Sequence, residues 1–279
     1  MTGVADFQWR DEAGDGKSFG TGAVVISAFP SAGLATTVAA HYAIRALKLP
    51  RIGRFESPDV APIAIVQGGE VNPMIRAYGR KDLALILSEF PPTPSQASSL
   101  ARSILDIAER QNARLIVGLE GVVPNPVADD DSGDPTPSTA VSPETAPETE
   151  ESAEQVWVAY SRRDPALLKS FEPAKVRSLE DGIIGGVSGG LLVQGIGRKV
   201  PVAVMLVSAR VAGGLPDHRA GAALIEALDR LLPEVAIDTG PLRAQAQQIE
   251  KALRAAMRNR PEAPAPAHEA AATGPGMYG

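Results

Sequence analysis

The residues of this chain that could do chemistry are few and scattered. The histidines are His41, His218 and His268, and there is no cysteine. No two histidines share the spacing that presents a pair of imidazoles to a metal, and thiolate ligands and cysteine nucleophiles are excluded. A nucleophile–base dyad would need Ser88 to meet His41 or His218 across the fold. Glu89 and Glu120 each close an apolar run, at the strand ends where α/β sheets gather functional groups. Ordinary rim carboxylates or oligomer contacts account for them better. Two glycine-bearing loops invite an anion. Pro30-Ser31-Ala32-Gly33 lies between a strand pattern and a helix pattern, so a small anion could bind there. Gly182–Gly190 (GIIGGVSGG) lacks a Gly-Lys-Ser/Thr ending and leads into Leu191–Ile196, which reads as a strand. On that reading it offers no helix N-terminus, and its glycines serve tight turns and close backbone approach.

The elements that position these residues alternate between strand and helix. Ala23–Phe29 (AVVISAF) is a continuous apolar run bounded by Gly22 and Pro30, as expected of a strand buried on both faces. Gly33–Leu47 has helical length, with Leu34, Val38, Tyr42 and Ala46 four residues apart, and Pro50 closes it. Ile63–Val66, Met74–Tyr78 and Asp82–Ser88 follow as strands. Thr93 caps a helix with Pro94 at its first position, which runs to about Gln111 with Leu100, Ile104, Ile107 and Ala108 inward. Arg114–Leu119, Val156–Tyr160 and Val200–Ser208 are further strands. Asp217 caps a helix reaching about Leu232, with Leu224, Leu228, Leu231 and Leu232 on one face. Leu242–Arg258 carries one apolar stripe of Leu242, Ala246, Ile249, Leu253 and Met257, with Glu250 four residues before Arg254. This order implies an α/β fold with a mostly parallel sheet flanked by helices.

Composition sets the limits. Of 279 residues, 44% are hydrophobic, 22% charged and 4% aromatic, so the core rests on Val, Ile, Leu and Ala. A net charge of −6 without a dense basic patch argues against nucleic acid or an anionic membrane as partner. The N-terminus lacks the apolar core of a signal peptide, and no apolar run is long enough to span a bilayer, which with the absence of cysteine fits a cytoplasmic protein. Residues 1–20 read as loosely ordered and 21–258 as one domain. That domain is interrupted at 125–155 by an acidic stretch rich in Pro, Ser and Thr, read as a disordered insertion because it buries too little to offset its ordering entropy. Residues 259–279 read as a disordered tail ending in Met277-Tyr278-Gly279. That tripeptide has the properties of a tethered plug: a carboxylate to pair with a lysine, a tyrosine with apolar body and polar tip, and a methionine for an apolar slot. Residues 261–276 give it a random-coil reach of roughly 20–24 Å.

Short motifs along 22–258 resemble the proteasome assembly chaperone 2 family. Ala28-Phe29-Pro30-Ser31-Ala32-Gly33-Leu34 is similar to the family's Gly-Phe-Pro-x-x-Gly-Leu turn, with Ala28 in place of glycine. Leu87-Ser88-Glu89-Phe90-Pro91 and Val117-Gly118-Leu119-Glu120-Gly121 resemble two of its strand ends. Gly182-Ile183-Ile184-Gly185-Gly186 with Ser188–Leu192 resembles its glycine-rich segment. Leu215-Pro216-Asp217 with Ala222-Ala223 resembles its Tyr-Pro-Asp helix start, with Leu215 for tyrosine, and Asp238, Leu242, Ala246 and Ile249 fit its closing helix. The resemblance implies a nucleoside phosphorylase-like sheet without a catalytic set, metal or cofactor. It also implies a homo-oligomer and a role in assembling or engaging the 20S proteasome. Several members of archaeal type end in a hydrophobic–tyrosine–any tripeptide that inserts between α-ring subunits, which Met277, Tyr278 and Gly279 match. The expectation is therefore a binding protein whose partner is the 20S proteasome α subunits. The alternatives are a nucleoside phosphorylase- or hydrolase-like enzyme using Ser31 and Gly33 for phosphate, or a scaffold for another partner through the acidic insertion. The insertion lies outside the family pattern.

Overall fold

The computed structural model of the chain describes residues 6–12, 14, 19–124, 140–141, 155–211, 215–232 and 235–258. In chain order the elements are β1 (Gln8–Asp11), β2 (Val24–Ala28), α1 (Ala35–Ala46), β3 (Arg51–Glu56), β4 (Ala64–Gln67), β5 (Glu70–Pro73), β6 (Ile75–Arg80), β7 (Leu83–Ser88), α2 (Pro94–Arg110), β8 (Leu115–Pro124), β9 (Ala140–Val141), β10 (Val156–Tyr160), α3 (Pro165–Phe171), β11 (Arg177–Ser178), α4 (Gly186–Gln194), β12 (Val202–Ser208), α5 (His218–Leu231) and α6 (Gly240–Arg258). Met1–Ala246 forms one compact unit and Gln247–Gly279 a second, with the boundary inside α6.

The first unit is built on one large sheet in the order β1-β3-β6-β7-β2-β8-β12-β10-β11, with β9 beside the end of β8. Its centre, β7-β2-β8-β12, is parallel, while β1, β3, β6 and β10 add antiparallel edges. β4 and β5 form a separate hairpin. Successive residues of a strand point to opposite faces, so the central apolar runs supply two cores at once. Val24, Ile26 and Ala28 of β2 join Leu85, Val117 and Met205 against α1 and α5. Val25 joins Ile86, Ile116 and Val202 against α2 and α4. Each such side chain, fully removed from water, contributes about 1.5–3 kcal/mol before the entropy of ordering is subtracted.

Thr93 closes the start of α2 with a capping box: its hydroxyl accepts from Gln96 N, and the Gln96 side chain accepts from Thr93 N at 2.9 Å. Leu100, Ile104, Ile107 and Ala108 are buried as their spacing implies. Asp217 caps α5 by accepting from the Arg219 and Ala220 amides at 3.1 Å each. Leu242 is buried, whereas Ile249 is only half-buried.

Three features differ from expectation. First, Gln8–Asp11 pairs with β3, and Trp9 packs edge-to-face on Phe55 at 5.0 Å, inside the stretch read as loosely ordered. Second, α1 turns Ala35, Thr36, Ala39, Ala40 and Ala43 inward rather than the four-spaced stripe. The helix packs on the sheet beside α5, and its small side chains let it sit close to both. A Cβ on Gly221 of α5 would fall 2.8 Å from Val38 Cγ1, which measures how close the two helices run. Third, Leu191–Ile196 is not a strand. Gly186–Gln194 is helix α4, with Val187 and Leu191 buried four apart. Gly190 makes this possible, since a Cβ there would sit 2.9 Å from Ala101 Cβ of α2. The glycines that lower helix propensity are what let α4 approach α2.

Among the described residues no helix is long and apolar enough to cross a membrane. Of the segment expected to be a disordered insertion, only Ala140, Val141 and Gln155 are among the described residues.

Candidate functional site

The parallel strands end together, and most residues singled out by chemistry lie there. The loop after β2 turns through Gly33 (φ 60°) and Leu34 (φ 50°). Only glycine fits at 33, because a Cβ would lie 2.7 Å from the Arg210 carbonyl oxygen. Gly33 O accepts from Asp217 N at 2.7 Å, which fastens the loop to the start of α5. The Ser31 hydroxyl accepts from Gly121 N at 2.8 Å and lies 3.0 Å from Thr36 Oγ1, which in turn donates to Phe29 O. The turn proposed for phosphate is thus a tie between β2, β8 and α1, with its hydroxyl occupied.

Ser88 does not meet a histidine. Its hydroxyl donates to Phe90 O at 2.9 Å and accepts from Phe90 N at 3.1 Å, shaping the chain's exit from β7. His41 instead meets Glu89, with Nε2 3.2 Å from Oε1. Glu89 takes a two-pronged contact from Arg76, at 2.8 and 2.5 Å, and the Arg76 side chain is fully buried. The Arg76 Nε donates to Tyr78 Oη at 3.0 Å, Tyr78 donates to Asn72 Oδ1 at 3.3 Å, and Arg51 donates to the same oxygen at 2.9 Å. Arg51 and Arg54 both hold Glu12. A polar chain therefore runs from the β1 edge to α1. Burial works against the charge on Glu89, but hydrogen bonds from His41 and Arg76 outweigh it and hold the carboxyl down to about 2.

Glu120 does not close its strand as expected: β8 runs on to Pro124, and Glu120 lies within it, paired with Leu206 of β12 and half-buried. Its Oε2 accepts from Ser188 Oγ, in the first turn of α4, at 2.8 Å. Burial raises its carboxyl to about 7, and the one hydrogen bond from Ser188 offsets this only in part. The helix start that the glycine-rich stretch does provide thus faces a carboxylate of the chain itself. Among the described residues no group of three or more histidines and carboxylates is placed to hold a metal ion.

Sequence reasoning found His41, Glu89 and Glu120 but missed Arg76, Tyr78 and Ser188. An arginine inside the apolar run Met74–Tyr78, two residues from a tyrosine on the same strand face, was the available signal for the first two. Ser188 was hidden by the reading of α4 as turn and strand. Met277, Tyr278 and Gly279 lie outside the described residues.

Comparison with known proteins adds the wider frame. An uncharacterized protein of Methanocaldococcus jannaschii is 26% identical over 232 residues, covering 83% of this chain and 84% of that one. The crystal structure of Pyrococcus furiosus PbaA, an archaeal homolog of proteasome-assembly chaperone, superposes with a TM-score of 0.68 at 22% identity, covering 90% of this chain and 96% of that one. Pyrococcus furiosus PbaB, an archaeal proteasome activator, gives a TM-score of 0.67 at 22% identity, covering 91% of this chain and 100% of the other. These structures share the fold. The model of the PAC2 family matches residues 25–257, nearly the whole of the first unit, and the chain belongs to that family.

Proposed function

We propose that this protein is a homo-oligomeric proteasome assembly chaperone or activator, and that it engages the α ring of the 20S proteasome through Met277, Tyr278 and Gly279. The observation that carries the reading is membership of the PAC2 family across 25–257. The names of PbaA and PbaB, which share the fold, point the same way. The tripeptide adds support from a separate part of the chain. Ile183, Val193 and Ile196, on and beside α4, are exposed apolar side chains that fit burial between copies. The protein acts by binding in a cytoplasmic setting, without catalysis. Ser31 and Ser88, the hydroxyls available for nucleophilic chemistry, are engaged with backbone groups, and His41 is paired with Glu89.

The test is capture of 20S particles, and separately of α subunits, by the full chain and by a version lacking residues 277–279. Capture by the full chain alone supports both the partner and the docking motif. Equal capture by both removes the motif and leaves the partner. Capture by neither removes the proteasome reading.

A further inference from the structure

The face of α1 turned away from the sheet borders a cleft of about 320 Å³, walled also by the β4–β5 hairpin, the start of α5 and the first turns of α6. Leu34 and Val38 give it an apolar side, and Thr37, His41, Arg45 and His218 give it a polar one. It holds two of the three histidines of the chain.

The hydrogen bonds behind the cleft decide what its polar side offers. The Nδ1 of His218 lies 3.1 Å from the Pro216 carbonyl oxygen, which can only accept, so the proton sits on Nδ1. His41 presents Nε2 to the ionised Glu89, which likewise fixes the proton there. In the neutral ring each imidazole keeps one nitrogen as an acceptor: Nδ1 of His41 and Nε2 of His218. Among the described residues the Thr37 hydroxyl oxygen, buried beneath the cleft surface, has no hydrogen-bond partner. Tyr42 also lines the cleft, but its hydroxyl is occupied by the Asp238 carbonyl at 2.6 Å. Among the described residues no carboxylate lines the cleft. Glu89 is shared between Arg76 and His41, and Asp238 Oδ1 accepts from Gly240 N at 2.9 Å. The guanidinium lining the cleft is that of Arg45, and the exposed Asp238 carboxylate acts on Tyr42 from beside it.

We propose that this cleft binds a small hydroxyl-bearing organic anion. Its phosphate or carboxylate pairs with Arg45, its hydroxyls donate to His41 Nδ1 and His218 Nε2, and its carbon skeleton lies on Leu34 and Val38. The volume suits a phosphorylated sugar or a sugar acid rather than a bare inorganic ion. The site is separate from the tripeptide proposed for the proteasome, so neither reading depends on the other.

The imidazole carbon–proton signals of the full chain test this directly, with His268 in the C-terminal segment as internal reference. The His41→Gln and His218→Gln variants assign the signals. Glucose 6-phosphate and gluconate are the probes, with glucose and inorganic phosphate as controls. The expected result is saturable movement of the His41 and His218 signals by at least one probe below about 10 mM, with His268 still and the controls weaker. Stronger binding of glucose 6-phosphate assigns a phosphate, and stronger binding of gluconate a carboxylate. Arg45 is exposed. Arg45→Ala should therefore fold and weaken binding roughly two- to fivefold, in keeping with an exposed ion pair. No saturable movement with either probe, movement shared equally by His268, or affinity unchanged in Arg45→Ala would overturn the proposal. The last outcome would leave Arg45 serving only the C-terminal end of α1.

Discussion

Glu120→Gln should make the protein more stable, and more so as the pH rises. Glu120 is an acid whose carboxyl is raised from 4.5 to about 7 by burial, so the fold favours its neutral form. The stability associated with that proton is fully present below 4.5. It is lost as the pH climbs through the window from 4.5 to 7, because the unfolded chain releases the proton first. Above that window the accumulated loss is the shift multiplied by about 1.4 kcal/mol per pH unit, or up to about 3 kcal/mol. Glu120 keeps some contact with solvent, which makes this an upper figure. Glutamine has the same shape and still offers an oxygen to Ser188 Oγ, without the charge. Differencing variant against wild type at each pH cancels every other titrating group. The gain at pH 8 should exceed the gain at pH 5 by up to about 2.5 kcal/mol. For a unit of this size the full difference corresponds to roughly 5–10 °C in melting temperature. Urea unfolding at both pH values measures it. A gain of equal size at pH 5 and pH 8, or a loss at pH 8, would refute the reasoning.

Glu89→Gln works in the opposite sense. It leaves the buried Arg76 without its charged partner, so stability at pH 7 should fall by about 3 kcal/mol. Since the wild-type carboxyl is held near 2 against 4.5 unfolded, the stability it contributes is present above 4.5 and is lost as the pH falls towards 2, so the variant should show a shallower acid limb in urea titrations. Gly190→Val should cost about 1–3 kcal/mol by forcing α4 off Ala101, read as a lower urea midpoint. Removing residues 277–279 should abolish capture of the 20S proteasome while leaving the melting temperature within a degree or so.

What was legible in the sequence follows from how strongly each segment constrains itself. Runs such as Ala23–Phe29 and Val200–Ser208 are apolar on every residue, and only a sheet covered on both faces accommodates that. Thr93-Pro94 and Asp217 announce helix starts because their side chains satisfy amides that nothing else reaches. α4 was illegible because its glycines serve a neighbour. Gly190 answers to Ala101 on a distant stretch of chain, and no local pattern records that. The inward face of α1 was missed for the same reason: its small residues answer to the sheet beneath it and to α5 beside it, both distant in the chain. β1 depends wholly on β3, and its residues Gln8–Asp11 carry almost no apolar signal of their own.

The same contrast bears on what the strand ends do. Residue types alone suggested nucleophiles and a phosphate turn, but hydrogen bonds assign those groups to holding the frame. Ser31 joins three elements, Ser88 shapes one exit, and Glu89 neutralises an arginine that would otherwise be an unpaired charge in the core. Groups so engaged are poor reagents, because each would have to give up a structural bond before reacting. The polar groups that remain available line the cleft, where two imidazoles each retain an acceptor in the neutral ring. A ligand there would complete hydrogen bonds without disturbing the frame. It would stabilise the folded state by mass action. It would also tie the hairpin, α1, α5 and the first turns of α6 together.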